Sequence, residues 1–227
     1  MEAHIFADIV DTALAGRFFA EEGPLKARHL AEPDAPLTLV VGDNGSGKSF
    51  LVKVLSAIAK NQGMTSMTLS MAKRSESGSQ IRVMMFGDEA QQSTGLTSVQ
   101  AVETGLNSMR SWNKDHIACF DEPDLGLSDY FAYPMGQLIA QFALAPAERT
   151  RGVFVVTHNR ELIQGIQDEL AAQGHKPSVV FVGSRYQSLE QFMERGHRGS
   201  VAEMLDLAGS SIDLWRALQR AINNGKQ

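Results

Sequence analysis

Residues 42–49, which read GDNGSGKS, constrain the fold of this 227-residue chain more than any other stretch. Gly42, Gly45 and Gly47 allow a tight turn that side chains would obstruct. Before the turn, residues 37–41 form an apolar, partly β-branched run of strand type. After it, Phe50, Leu51, Val54, Leu55 and Ile58 recur at helical spacing. A strand that turns on glycines directly into a helix is the unit from which parallel sheets are built. Four further short apolar runs, 81–86, 117–120, 153–156 and 179–182, alternate with segments long enough for helices. The predicted class is α/β, with a mainly parallel sheet covered on both faces.

No repeat of 20–50 residues is visible, which removes solenoids and propellers. Asn159 is placed to cap a helix with Leu162, Ile163, Ile166 and Leu170 on its apolar face and Gly174 at its end. Ser200 and Glu203 form a capping box ahead of Met204 and Leu205. Ser211 is expected to start a final helix with Ile212, Trp215, Leu218 and Ile222 on one stripe. The expected organisation is one domain over 1–227, with a core at about 37–183 and a helical appendage at 184–227 that packs on the sheet. Residues 66–80, with five serines, Gly78 and three charges, read as a mobile loop.

Composition excludes several classes. With 43% apolar and 21% charged residues the chain can build a core, so disorder is not its main state. No apolar stretch approaches the roughly 20 residues of a membrane-spanning helix. Glu2 and Asp8 stand where a secretory signal would be cationic and then apolar, so a cytoplasmic location without membrane insertion is expected. A net charge of −5 supplies no global field toward nucleic acid, and Arg195, His197 and Arg198 read as a solvated turn. The single cysteine, Cys119, lies in an apolar run and reads as an inert core thiol.

The chemistry concentrates in three places. Residues 42–49 fit the phosphate-loop pattern G-x-x-x-x-G-K-[ST], in the strand–loop–helix setting that the pattern requires. Gly42, Asp43, Asn44, Gly45, Ser46 and Gly47 would turn backbone amides toward phosphates, and the helix start at Lys48, Ser49 and Phe50 would add free N–H groups and the positive dipole end. Lys48 would hold the β- and γ-phosphates and Ser49 would bind Mg²⁺. The second place is the run at 117–120, which ends in Asp121, Glu122 and Pro123. Asp121 can steady Mg²⁺ through its water shell, while Glu122 can orient or deprotonate the attacking water. Third, His158 ends another strand 37 residues beyond Asp121, where it can sense a γ-phosphate.

Together, the Walker A pattern at 42–49, the Walker B acids and the histidine at 158 resemble the ATP-binding-cassette ATPase superfamily over about residues 37–160. The resemblance implies a P-loop NTPase fold of that type, with ATP and Mg²⁺ as cofactors and Glu122, His158 and Lys48 as catalytic residues. It also implies an ATP-dependent homodimer in which each phosphate loop faces the partner's signature sequence. Ser93 and Gly95, opening a helical run through Val99, Val102, Leu106 and Met109, are the signature candidates. Gln91, or Gln92, occupies the place of the Mg²⁺-binding glutamine, and Phe18 or Phe19 that of the adenine-stacking aromatic. Asp124 to Ser128 lies at the D-loop and looks more like the chromosome-maintenance and DNA-repair branches than like transporters.

The chain also departs from the family. Leu96 stands where Gln or Glu usually follows the signature glycine, and 45 residues from Lys48 to Ser93 leave a reduced helical subdomain. The function expected on this basis is Mg²⁺-dependent ATP hydrolysis that switches an unidentified protein or nucleic-acid partner, in DNA repair or defence against foreign DNA. The alternatives are a transporter's nucleotide-binding subunit, a small-molecule kinase and a module that binds ATP without hydrolysing it.

Overall fold

The apolar runs at 37–41, 117–120, 153–156 and 179–182 become strands because they can bury both faces. All four residues of the strand Thr38–Val41 and all six of His116–Asp121 are buried. The computed structural model describes residues 2–70, 94–183, 186–194 and 200–224. In chain order these form α1 (Glu2–Ala15), β1 (Ala27–Leu30), β2 (Thr38–Val41), α2 (Lys48–Asn61), β3 (Thr65–Ser70), α3 (Thr94–Ser111), β4 (His116–Asp121), α4 (Asp129–Leu144), β5 (Thr150–Thr157), α5 (Arg160–Ala172), β6 (Ser178–Val182), α6 (Leu189–Glu194) and α7 (Val201–Asn224). The class is α/β, with a mixed six-stranded sheet ordered β1-β6-β2-β5-β4-β3. β1 runs antiparallel to β6 and every other pairing is parallel.

The chain leaves β2 for the far edge at β3, then steps back through β4 and β5 and passes over β2 to β6. Right-handed crossovers in opposite directions put the helices on opposite faces. Leu39, Phe120, Val155 and Phe181 pack toward α3, α4 and α5, while Val40, Cys119, Phe154 and Val180 pack toward α1 and α2. This reversal opens a crevice at the carboxyl end of β2, the usual ligand position in such sheets. On one face α4 and α5 meet closely: a Cβ at Gly136 would lie 2.1 Å from the Leu162 carbonyl oxygen, and one at Gly165 2.1 Å from that of Tyr133.

Asn159 caps α5 as expected, accepting the Leu162 N–H at 3.1 Å. The capping box forms too, with Ser200 N donating to Glu203 Oε2 at 2.8 Å and Glu203 N donating to Ser200 Oγ at 3.1 Å. Two expectations need correction. Residues 66–70, expected to open the mobile loop 66–80, belong instead to the edge strand β3, in parallel register with β4 from Thr65–His116 to Ser70–Asp121. The open edge of β4 outweighs a serine-rich composition there. The two expected C-terminal helices are one, because the Ser211 hydroxyl donates back to the Leu207 carbonyl at 2.8 Å and so lets the helix run through. Leu218 and Leu214 of α7 join the apolar cluster that contains Leu25, Val180 and Val182. The apolar run 81–86, the remainder of 66–80, and Arg195, His197 and Arg198 lie outside the described residues. No helix among the described residues is long and apolar enough to cross a membrane.

Candidate functional site

The glycine loop sits in the crevice, at the end of β2. A Cβ at Gly42 would lie 2.3 Å from the Val182 carbonyl oxygen, so the close approach of β6 admits only glycine. Gly47 has φ 102°, a left-handed conformation that side chains resist, and turns the chain into α2. Among the described residues no side chain caps α2, whose first N–H groups therefore face the crevice without the usual partner. Lys48 is buried and curls back on the loop, its Nζ donating to the carbonyls of Gly42 and Asp43, both at 2.9 Å. Burial lowers its pKa, against the raising influence of Glu122, Asp43 and Asp121. The Ser46 hydroxyl is buried with no hydrogen-bond partner among the described residues. Inward amides, a cation and an orphan hydroxyl together suit an anion.

The acids arrive from the neighbouring strands. Asp121, at the end of β4, accepts from the Ser70 hydroxyl at 3.1 Å and the Ser49 hydroxyl at 3.4 Å. Its pKa is raised, chiefly by burial and further by the charge of Glu122, with the two serines opposing. Glu122 has φ 53°, rare for a side-chain-bearing residue and costly by roughly 1–3 kcal/mol. Its N–H still bonds Val156 at 2.9 Å, and its carboxylate lies 3.4 Å from Nδ1 of His158. The histidine's hydrogen bond holds the Glu122 carboxyl below its ordinary range, although burial pushes the other way.

Sequence reading missed the struts beneath these groups. Thr157 donates to the buried Asp124 at 3.0 Å and accepts the Asn159 N–H at 2.9 Å, so one hydroxyl ties the turn after β4 to the end of β5. Tyr186 donates to Asp43 at 3.2 Å across 143 residues of chain. The only signal for Thr157 was its place directly before His158, and for Ser70 nothing marked it. Gly95, near the start of α3, packs so close to the turn after β4 that a Cβ would lie 2.8 Å from the Gly126 carbonyl oxygen. Beside it Ser98 donates to the Leu125 carbonyl at 2.6 Å. Ser93, Gln91 and Gln92 lie outside the described residues. Phe19 is buried in the core, while Phe18 is half-buried edge-on to Phe50 with ring centroids 5.0 Å apart.

Among the described residues there is no group of three or more His, Cys, Asp or Glu side chains able to hold a metal ion. The Ser49 hydroxyl and Asp121 carboxylate, 3.4 Å apart, fit a hard cation that takes its remaining oxygens from a ligand and water. No family model and no curated protein matches the chain.

Proposed function

We propose that the chain binds ATP with Mg²⁺ and hydrolyses it to ADP and phosphate. The observation that carries this reading is the convergence, at the carboxyl ends of the central strands, of an uncapped helix start, a buried lysine on the glycine loop, and the Glu122–His158 pair. Ser49 and Asp121 would hold the cation, which neutralises phosphate charge when bound. The phosphates would lie on the amides of residues 45–50, with Lys48 turning from the loop carbonyls toward them. Glu122 would then take a proton from the attacking water while His158 holds its carboxylate and meets the terminal phosphate. The strand–loop–helix motif and Walker B acids support a P-loop NTPase fold of ABC type, and the proposed role is the switching of a partner by a soluble ATPase.

ATP-dependent pairing of two copies belongs to the same reading. Leu96, Leu125, Tyr130 and Phe131 are large, apolar and exposed, and they lie on the segments that meet where α3 begins. A second copy closing over the nucleotide would cover them. Calorimetry of ATP with Mg²⁺ tests the binding. Wild type should bind, and Lys48→Ala should lose most of that affinity; equal binding by both would remove the phosphate-loop assignment.

A further inference from the structure

The outer side of the glycine loop forms a cavity of about 480 Å³ against the C-terminal helix α7. Asp43 to Ser46 make its floor, Val182 and Gly183 at the end of β6 its side, and Asp206, Leu207, Ser210 and Leu214 of α7 its far wall. The helix rests directly on the loop: a Cβ at Gly45 would lie 2.1 Å from the Ser211 hydroxyl. Sheet order sets the cavity's direction. β5 and β4, carrying His158 and Glu122, flank β2 on one side, and β6 flanks it on the other. A polyphosphate lying along the loop with its terminal phosphorus at Glu122 has its opposite end leaving toward β6, into this cavity.

We infer that this cavity is the subsite for the nucleoside half of the nucleotide and that α7 is the element that recognises it. The inference rests on the proposed ATP binding and deepens it. The volume lies within the range of small-ligand pockets. The half-buried Leu207 and Leu214 offer apolar surface to a planar base. A carboxylate beside a phosphate loop would repel phosphate, so Asp206 suits a neutral donor group instead, and ribose hydroxyls are such donors. The aromatic residues are committed elsewhere: Phe19 is core, Phe18 packs on Phe50 with the Arg17 guanidinium 4.8 Å from its ring centroid, and Tyr186, which lines the cavity, is buried with its ring on Phe192 and its hydroxyl on Asp43. The nucleoside contact thus comes from the end of the chain.

The test compares ATP with inorganic tripolyphosphate, which engages the loop but has no nucleoside, on wild type, Asp206→Asn and Ser210→Trp. Both positions are exposed on α7, so neither change disturbs the core, and Ser210→Trp fills the cavity. Each variant should bind ATP on the order of 10-fold more weakly, while tripolyphosphate affinity stays at the wild-type value. Unchanged ATP affinity in both variants, or parallel loss of ATP and tripolyphosphate, would overturn the subsite. Failure of wild type to bind either ligand would instead overturn the phosphate-loop reading on which the subsite rests.

Discussion

His158 Nδ1 lies 3.4 Å from Glu122 Oε1, joining the ends of the adjacent strands β4 and β5. The two residues stand 36 positions apart in the sequence; they meet because β4 and β5 pair in parallel register and both end at the crevice. The pair sets the pH behaviour of the proposed hydrolysis. Because the histidine holds the Glu122 carboxyl low, Glu122 stays ionised, and able to accept a proton, as the medium is acidified. In His158→Gln the carboxyl should return toward its ordinary range, so the acid limb of the rate profile should move to higher pH. A pH–rate profile of both proteins checks this, and an unmoved acid limb would detach His158 from Glu122.

Asp121 carries the opposite linkage. Its folded-state pKa is raised, so the stability associated with the protonated carboxyl is present below its unfolded pKa and lost as pH rises through the folded value. At neutral pH the site therefore works against the fold. Asp121→Asn should melt at a higher temperature than wild type at pH 7, with the difference shrinking in acid, while metal-dependent nucleotide binding weakens. Thermal melts at two pH values without nucleotide decide it; a lower melting temperature at pH 7 would contradict the linkage.

Two glycine substitutions should act in opposite directions. Gly165→Ala would push a methyl to within 2.1 Å of the Tyr133 carbonyl oxygen and force α4 from α5, costing about 1–3 kcal/mol. Gly209→Ala, inside α7 with nothing within 4 Å, should stabilise by about 0.5–1 kcal/mol through helix propensity. Denaturant unfolding of both variants measures the signs.

Cys119 is fully buried and its thiol is pushed up to about 12, mainly by desolvation. It should therefore resist a thiol reagent in the native protein and react at the rate of opening. Rapid modification under native conditions would place it nearer the surface than β4 allows.

Local signals explain what could be read in advance. The glycine loop, the Asn159 cap and the Ser200–Glu203 box carry their geometry in adjacent residues, and each formed. β3 was missed because its serines and threonines look like loop until the edge of β4 supplies their hydrogen bonds. Ser211 looked like a helix start because a hydroxyl that caps and one that bonds back to the preceding turn are the same residue type. In the candidate site, motif spacing singles out Lys48, Asp121, Glu122 and His158, which the fold brings to one crevice. Ser70, Thr157 and Tyr186 act through partners 51, 33 and 143 residues away, separations that only the sheet order closes.

The most direct test of the proposed hydrolysis is steady-state phosphate release from ATP with Mg²⁺ by the purified protein beside its Glu122→Gln variant. The substitution keeps the size of the side chain and removes its ability to accept a proton. Wild type should turn over, and the variant should still bind ATP but release phosphate roughly 10²- to 10⁴-fold more slowly, the usual contribution of a positioned base. Equal rates in the two proteins would contradict the account and leave a chain that binds nucleotide without hydrolysing it through Glu122.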